Sequence, residues 1–309
     1  MRGITFASTK KESINFIMDI LYIINPISGN GKGKEVPPLI LMNQQSGLQN
    51  SNKVVFTKFA GEAREIARTY IARGFTKIIA VGGDGTVNEV ASEVAGTNCQ
   101  LGIIPVGSGN GLARHLGIPL SPAKALSLVH QNNVLQIDTA SVNQRPFFCT
   151  SGTGFDAHIG QLFSQSVSRG FSSYFKTTLR EFHNYQSHNY RITVDGKILK
   201  RRAFLATVAN ASQYGNNAHI APQAHVNDGW LDLVIVKPFP LFAAPWLALD
   251  LFRKRIHHNR YIEALTGKEI SIERLEKEVI HIDGEPLMEE ANLRFTLKPG
   301  NLNVIVPET

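Results

Sequence analysis

Apolar residues in roughly the first 130 positions form short continuous runs that alternate with segments of helical periodicity. The runs have the length of strands and cover residues 20–25, 53–57, 77–81 and 100–106. Continuous apolar runs are typical of strands that are buried on both faces. Residues 61–74 and 86–96, which separate the later runs, place alanine, valine and isoleucine at helical spacing. This alternation of strand and helix predicts a parallel sheet with helices on both faces.

The pattern changes to short alternating segments from about residue 133. Asp195-Gly196 lies between two of these segments, and this dipeptide predicts a two-residue hairpin turn. Further strand-like segments follow at hairpin-like intervals: AFLATVAN, GWLDLVIV, KEISIER, KEVIHIDGE, NLRFTLKPG and LNVIVP. Their spacing predicts an antiparallel sandwich or barrel. Residues 237–260 are predicted to be helical after Pro245.

The N-terminal residues resemble a signal peptide in part. A Lys-Lys pair precedes an apolar stretch, but Asn15 and Asp19 interrupt it and no small-residue cleavage site follows. Met18 stands directly before the first predicted strand. We therefore expect residues 1–17 to be a loosely ordered extension and not a secretory signal.

The composition is that of a globular chain long enough for about two domains. Of its 309 residues, 43% are hydrophobic and 18% are charged. A formal net charge of +7 suits an anionic partner such as a nucleotide, a nucleic acid or a membrane surface. Two cysteines are too few for a disulfide scaffold or a cysteine-based zinc site, so a reducing cytosol is expected. No uninterrupted apolar run is long enough to predict a membrane span.

Three of the predicted strands end in glycine-rich turns, with the sequences NPISGNGKG, GGDGT and GSGNG. The carboxyl ends of parallel strands meet at one edge of the sheet, where ligands bind in such folds. Glycine lets backbone amides approach a phosphate closely. The first turn is not a Walker A sequence, because neither Gly31-Lys32 nor Gly33-Lys34 has the required spacing. It is therefore either a flexible basic turn or a phosphate cradle of another kind.

Asp84 stands within the second turn, where the amides of the following helix favour an anion. A carboxylate beside phosphates is useful when a divalent cation lies between them, or when it accepts a hydrogen bond from a ligand hydroxyl. The alternative is a tight turn in which Asp84 caps the helix. Three such turns on successive strands are harder to explain by packing alone. The sequence therefore favours a phosphate site, to which Ser108 and Asn110 would add donors.

This combination of motifs resembles the diacylglycerol kinase catalytic domain family, which includes the sphingosine kinases and soluble bacterial lipid kinases. The resemblance runs from about residue 20 to the C-terminus and is carried by NPISGNGKG (25–33), GGDGTVNEV (82–90), PVGSGNGLA (105–113), NDGWLDL (227–233) and HIDGEP (281–286). It implies an α/β N-terminal domain with a parallel sheet, similar to NAD kinases and diacylglycerol kinases, and a C-terminal antiparallel β-sandwich domain. The nucleotide-binding domain would cover residues 18–132 with a C-terminal return over 297–309, and the lipid-substrate domain residues 133–296.

The resemblance also implies ATP in the cleft between the two domains. The residues that would line the nucleotide are Asn25, Pro26, Ser28, Gly29, Thr57, Gly82, Gly83, Asp84, Gly85, Thr86, Asn88, Glu89, Gly107, Ser108 and Asn110. Asp84 would in addition act in catalysis by helping Mg²⁺ to offset the phosphate charge. Lys32 would supply an extra positive charge.

The family resemblance assigns further roles to acidic residues of the C-terminal part. Asp283 or Glu285 would be the general base that takes the proton of the lipid hydroxyl. A magnesium loop would use the side chain of Asp228 and the backbone carbonyls of His225 and Trp230. Without the resemblance, each Asp-Gly pair in this region would be interpreted as a plain hairpin turn.

The implied lipid kinase has to reach its substrate at a membrane surface. Residues 237–260 hold five Lys or Arg and one acidic residue beside several aromatic side chains. Residues 169–202 hold eight Lys or Arg and two acidic residues, with Phe171, Tyr174 and Phe175 among them. Apolar residues flanked by basic ones favour an anionic bilayer, and the alternative is core packing with a solvated basic edge. We expect a cytoplasmic protein peripherally associated with the inner face of the membrane, while homodimer formation stays open.

Two other functions compete with this one. An NAD kinase shares the GGDGT turn and the two-domain plan, but its second Asn-Glu motif is not recognisable here. A basic nucleic-acid-binding protein would need aromatic stacking platforms interleaved with Arg and Lys, whereas the glycine turns are the more organised feature. We therefore expect ATP and a lipid as partners, and no nucleic acid. The turn GSGNGLA is closer to the sphingosine-kinase-like variant than to the GTxND form of many bacterial diacylglycerol kinases, which leaves the lipid open.

Overall fold

The computed structural model describes residues 20–44, 52–131, 133–164, 180–182 and 184–308, apart from the side chain of residue 163. The expected N-terminal extension, residues 1–17, and the aromatic residues Phe171, Tyr174 and Phe175 lie outside these ranges. Within them, no helix is both long enough and apolar enough to cross a membrane.

The N-terminal part is an α/β unit. Its elements are β1 (Ile20–Ile24), α1 (Ser28–Gly31), a 3₁₀ turn (Lys32–Glu35), α2 (Val36–Gln44), β2 (Asn52–Phe56), α3 (Glu62–Ala72), β3 (Lys77–Gly82), α4 (Asp84–Val94), β4 (Gln100–Pro105), α5 (Gly111–His115) and α6 (Pro122–Val129). The strands pair in parallel in the order β2-β1-β3-β4. Every residue of β1 and β3 is buried, which is why both appear in the sequence as continuous apolar runs.

The C-terminal part is mainly antiparallel. Its elements are β5 (Val134–Val142), β6 (Arg145–Phe147), β7 (Thr150–Gly154), α7 (Phe155–Ser164), β8 (His188–Val194), β9 (Lys197–Ala203), β10 (Leu205–Ala209), β11 (Leu231–Val236), a 3₁₀ turn (Leu241–Ala243), α8 (Ala244–Phe252), a 3₁₀ turn (Ile256–His258), β12 (Ile262–Gly267), β13 (Glu269–Glu273), β14 (Glu278–Ile282), β15 (Glu285–Glu289) and β16 (Asn292–Ile305). Six strands form one sheet in the order β12-β11-β10-β7-β14-β15. The predicted hairpin at Asp195-Gly196 joins β8 to β9 with positive φ at both turn residues. The predicted fold class is confirmed.

The long strand β16 belongs to both parts of the chain. Its first half pairs antiparallel with β13, and Asn303 and Val304 pair in parallel with β4. The pairing of β16 with β5 shifts register between Lys298 and Leu302. The sequence predicted two strands here, and they are one irregular strand that joins the parallel sheet to the antiparallel region. The predicted domain boundaries themselves stay a prediction.

Candidate active site

The three glycine-rich turns lie against one another at the carboxyl edge of β1, β3 and β4. A Cβ atom built on Gly29 would lie 1.7 Å from the carbonyl oxygen of Val106. One built on Gly107 would lie 2.4 Å from the Cα atom of Gly83. Only glycine permits such close approach of backbone to backbone. We refer to these as the first, second and third glycine turns, residues 25–33, 82–86 and 106–111.

Side-chain hydrogen bonds tie the first turn to the second. The Nδ2 atom of Asn25 donates to Oγ1 of Thr86 over 3.2 Å, and Oδ1 of Asn25 accepts from the amide of Ile27 over 3.2 Å. Gly82 passes so close to Thr86 that a Cβ atom on it would lie 2.4 Å from that side chain. Thr57 directly follows β2, and its amide donates to the carbonyl of Ile24, the residue before Asn25. Asn25 and Thr86 therefore fix the first turn on the start of α4.

Asp84 ties the second turn to the third. Its Oδ2 atom accepts from the amide of Asn110 over 2.8 Å, and its Oδ1 atom from the amide of Gly111 over 2.6 Å. Burial raises the pKa of Asp84 to about 6, and the negative charge of Asp283 adds to the rise while the two amides oppose it. Both carboxylate oxygens are thus already used in positioning the third turn.

Asn110 has an unsatisfied acceptor at this junction. Its backbone is left-handed, with φ of 54°, and its Nδ2 atom donates to the carbonyl of Gly107 over 2.7 Å. The Oδ1 atom is buried and, among the described residues, accepts no hydrogen bond. A buried acceptor without a partner is costly, so this atom is suited to a donor on a ligand. Ser108, at the tip of the same turn, is exposed.

A loop that sequence reasoning missed packs against the third turn. The amide of Asn216 donates to the carbonyl of Gly109 over 3.1 Å. A Cβ atom on Gly215 would lie 3.0 Å from the Cα atom of Gly109. Gly215, Asn216 and Asn217 all have positive φ, and the run Gly-Asn-Asn was a usable turn signal in the sequence. Arg114 supports the same carbonyl of Gly109 through its Nε atom over 3.0 Å.

Asp283 is enclosed by hydrogen-bond donors. Its Oδ1 atom accepts from the amides of Cys149 at 2.8 Å and Thr150 at 3.1 Å. Its Oδ2 atom accepts from the amide of Phe148 at 3.0 Å and from Nδ2 of Asn88 at 2.8 Å. Burial raises the pKa of Asp283, and these donors oppose the rise. The carboxylate therefore holds the β14–β15 turn against the start of β7.

The carboxylate of Glu285, unlike that of Asp283, is not enclosed by hydrogen-bond donors. It is exposed and lies at the start of β15. A Cβ atom built on Gly85 would lie 3.3 Å from its Oε1 atom, so the carboxylate stands beside the second glycine turn. Within the described part of the chain it accepts no hydrogen bond. Of the two predicted candidate bases, Glu285 is the one with free acceptor capacity.

The side chains of Asn88 and Glu89, in the motif GGDGTVNEV, make hydrogen bonds to other parts of the protein. Asn88 donates to the carbonyl of Pro146 over 3.1 Å as well as to Asp283. The carboxylate of Glu89 accepts from the amides of Gly61 at 2.8 Å and Ala63 at 3.1 Å, at the start of α3. An acceptor at that position satisfies amides that the helix itself leaves unpaired. Both side chains therefore join separate elements of the fold. Their predicted contact with the nucleotide stays a prediction.

A polar cluster beneath the β14–β15 turn was also missed from the sequence. The Oδ2 atom of Asp156 accepts from Oγ1 of Thr207 at 2.8 Å, the hydroxyl of Tyr214 at 2.9 Å and Nε2 of His281 at 3.1 Å. Burial raises the pKa of Asp156, but His281 and the two hydroxyls outweigh it and lower the pKa below its ordinary value. Helix α7, which begins beside Asp156, packs against the turn that carries Glu285, because a Cβ atom on Gly160 would lie 3.9 Å from the carbonyl of Gly284.

The predicted magnesium loop lies before β11. Asp228 accepts from the amide of Trp230 over 3.0 Å, and the amide of Gly229 donates to Asp138 over 2.8 Å. Burial raises the pKa of Asp232 to about 6, and the charge of Asp228 adds to the rise while His225 opposes it. In the described ranges no cluster of three or more His, Cys, Asp or Glu side chains could hold a metal. A single exposed carboxylate with neighbouring carbonyls fits Mg²⁺, which keeps several waters and needs few protein ligands.

Comparison with known proteins finds relatives along most of this chain. The family model described as "Diacylglycerol kinase catalytic domain" matches residues 19–142, and "YegS C-terminal NAD kinase beta sandwich-like domain" matches residues 150–306. A probable lipid kinase YegS-like from Pseudomonas aeruginosa (strain UCBPP-PA14) is 31% identical over 89% of this chain and 90% of its own length. A diacylglycerol kinase from Bacillus subtilis (strain 168) is 30% identical over 85% and 88%. The crystal structure of a putative diacylglycerol kinase from Bacillus anthracis str. Sterne aligns with a TM-score of 0.78 at 26% identity, over 95% of this chain and 98% of that one.

Proposed function

The chain belongs to the diacylglycerol kinase catalytic domain family, and from this premise we propose that it transfers the γ-phosphate of ATP to a hydroxyl group of a lipid. One observation carries the proposal: the three glycine turns meet in backbone contact at Gly29, Gly83 and Gly107, and the carboxylate of Glu285 lies beside Gly85. Backbone turns of this kind bind phosphate. A free carboxylate next to them is placed to take a proton.

The glycine turns orient the triphosphate. Phosphoryl transfer depends mainly on positioning and on neutralising charge, because little covalent chemistry is left to the protein. Asp84 contributes by holding the third turn against the second, since its two oxygens accept amides of the third turn. The unpartnered Oδ1 atom of Asn110 accepts a hydrogen bond from the bound nucleotide or its water. Lys32 is exposed on the first turn and adds positive charge.

Glu285 is the general base, and Asp283 positions it. The carboxylate of Asp283 is saturated by four donors, so taking a proton there would break hydrogen bonds. Glu285 follows two residues later and keeps its acceptor capacity. A carboxylate is a weak base towards an alcohol, so it takes the proton late, as the nucleophile closes on a loose transition state.

The carboxylate of Asp228 and the backbone carbonyls of His225 and Trp230, in the loop before β11, would hold Mg²⁺, which would supply positive charge there. Burial and, after it, the negative charge of Asp228 raise the pKa of Asp232 in this structure, and a bound cation would offset that charge. Asp138 supports the same loop from β5 by accepting the amides of Gly229 and Gly300.

The acceptor lipid is part of a membrane, so the kinase works as a peripheral protein on the cytoplasmic face. Its net charge of +7 favours an anionic surface. The lipid class is open among diacylglycerol, sphingoid bases, ceramide and phosphatidylglycerol, since each offers a hydroxyl group.

The test is label transfer from [γ-³²P]ATP to each of these lipids in mixed micelles, with NAD as a non-lipid acceptor and Glu285→Gln as the inactive control. We expect label in the extracted lipid phase with the wild-type chain for one lipid class, and at least about a hundredfold less with the variant. Label on NAD, or equal transfer by the variant, would contradict the proposed function.

A further inference from the structure

A group of large apolar side chains is exposed on α8 and the 3₁₀ turn that precedes it. Leu241 is 51% exposed, Phe242 74%, Trp246 67% and Phe252 55%. Leu247 on the same helix is buried, so α8 is anchored to the fold by one face while it presents the other to solvent. Single exposed apolar residues are ordinary, but a contiguous group of this kind marks an interaction surface.

Basic residues flank this group. Arg253, Lys254 and Arg255 follow α8 directly and are exposed, and Arg260 lies beyond them. Phe242, Trp246, Arg255 and Arg260 line one shallow groove. The single acid between residues 237 and 260 is Asp250, and its carboxylate accepts a hydrogen bond from Asn259 over 2.8 Å. The flank therefore carries a net positive charge, although Asp250 and its hydrogen-bond partner Asn259 also line the groove.

A row of aromatic rings leads from this groove into the molecule. Tyr261, at the edge of the groove, contacts Phe239 with ring centroids 5.9 Å apart. Phe239 contacts Phe204 at 5.0 Å, and Phe204 contacts Phe155 at 4.5 Å. Phe155 begins α7, the helix that packs against the turn carrying Glu285. The exposed group is thus joined by apolar contacts to the element behind the candidate base.

We propose that Leu241, Phe242, Trp246 and Phe252, together with Arg253, Lys254 and Arg255, form a docking surface that inserts into an anionic phospholipid bilayer. Aromatic and aliphatic side chains enter the headgroup boundary, and basic side chains pair with lipid phosphates around them. The charge pattern selects a bilayer over a second copy of this chain. A symmetric self-contact would place the same basic residues against each other.

The proposal rests on the proposed function only for the choice of a lipid surface as the occupant. Docking is therefore measured without ATP, by sedimentation of the full chain with vesicles of phosphatidylcholine alone and with one quarter phosphatidylglycerol. The apolar variant is Phe242→Ser with Trp246→Ser. The basic variant is Arg253→Gln with Lys254→Gln and Arg255→Gln. The matched control is Leu275→Ser, because Leu275 is 91% exposed in the turn between β13 and β14.

We expect the wild-type chain and the control to bind the anionic vesicles and to bind neutral vesicles much more weakly. The apolar variant loses about tenfold or more in partition coefficient. The basic variant loses roughly fivefold for each charge removed, and this loss disappears at high salt. Equal pelleting on neutral vesicles, or equal loss in the control, would overturn the proposal. A wild-type dimer that the apolar variant converts to a monomer would assign the surface to self-association instead.

The failure of docking and the failure of the kinase activity are distinguished by a soluble substrate. With a short-chain lipid below its micellar concentration, the apolar variant is expected to phosphorylate at the wild-type rate. With the same lipid class in anionic vesicles, its rate falls in proportion to its binding. Loss of both rates together would overturn the docking role. Vesicle binding by a wild-type chain that phosphorylates no lipid would leave the docking surface in place and remove the kinase assignment.

Discussion

The Nδ2 atom of Asn88 donates a hydrogen bond of 2.8 Å to the carboxylate of Asp283. The two residues stand 195 positions apart, on α4 of the parallel unit and at the β14–β15 turn of the antiparallel unit. The same helix begins with Asp84, which holds the third glycine turn. Helix α4 thus sets the position of the turn that carries Glu285 relative to the phosphate-binding turns.

We expect Asn88→Asp to move the β14–β15 turn away from helix α4. The new carboxylate would face Asp283 without a donor between them, and like charges at that distance repel. Because small displacements of a base are costly in rate, kcat should fall by about one to two orders of magnitude, with a smaller change in KM for ATP. Steady-state kinetics measure both. Ser92→Ala, which removes a hydroxyl bonded to the backbone of Asn88, is the control, and an unchanged kcat in Asn88→Asp would exclude this coupling.

We expect Glu285→Gln to affect mainly turnover and Asp283→Asn to affect mainly stability. Glu285→Gln should lower kcat by about 10² to 10⁴-fold, as for loss of a general base, while ATP affinity and the thermal midpoint stay near wild type. Asp283→Asn should lower the free energy of unfolding by roughly 1–3 kcal/mol, because an amide cannot accept from all the donors around it. Calorimetry, ATP titration and kinetics separate the two patterns. A stable Asp283→Asn chain that has lost turnover, beside an active Glu285→Gln chain, would reverse the assignment.

Gly29→Ala should weaken ATP binding far more than Gly300→Ala. Both glycines have left-handed backbone, with φ of 61° and 56°, so both substitutions carry a backbone strain of about 1 kcal/mol. Only at Gly29 does the new methyl group meet another turn, 1.7 Å from the carbonyl of Val106; at Gly300 the nearest atom is 4.0 Å away. Isothermal titration of an ATP analogue at matched folded fraction measures the difference. Equal loss in both variants would mean that the contact between turns does not matter for the nucleotide.

The raised pKa of Asp84 makes stability depend on pH. Because its pKa is about 6 in the folded chain and 3.8 as its ordinary value, the folded chain holds this proton between these values while the unfolded chain has released it. Asp84 therefore favours folding at low pH, and this contribution is lost as pH rises from about 4 to 6. Relative to Asp84→Asn, the wild-type free energy of unfolding should fall by about 2–3 kcal/mol across that window. Urea unfolding at several pH values measures it, and a difference independent of pH would contradict the ionisation assigned to Asp84.

The parallel unit was predictable because burial on both faces leaves a direct mark in the sequence. β1 and β3 are buried throughout, and their continuous apolar runs gave both strands and the positions of the glycine turns after them. β16 was divided in two because Lys298-Pro299-Gly300 resembles a turn. The strand continues there with shifted register, and Asp138 accepts the amide of Gly300. Such support comes from β5, over 160 residues away in sequence.

The parts of the candidate site that the sequence did not predict depend on contacts between residues far apart in the chain. The loop around Gly215 and the pair Asp156–His281 carry ordinary residue types, and only the fold brings them to the glycine turns and the β14–β15 turn. Asp283 and Glu285 stayed alternative general bases at the sequence level. Two acids only two residues apart cannot be told apart until the hydrogen-bond donors around each carboxylate are known. The free carboxylate of Glu285 and the saturated one of Asp283 distinguish them.

In the proposed function, the three glycine turns together bind the triphosphate of ATP, and Glu285 lies at the open side of the site. A crystal structure of the full chain with Mg²⁺ and a non-hydrolysable ATP analogue tests it most directly. We predict a triphosphate in contact with the backbone at Gly29, at Gly83 to Gly85 and at Gly109, with the carboxylate of Glu285 facing the γ-phosphate. A triphosphate that touches only one of these turns, or that lies on the far side of α4 from Glu285, would contradict it.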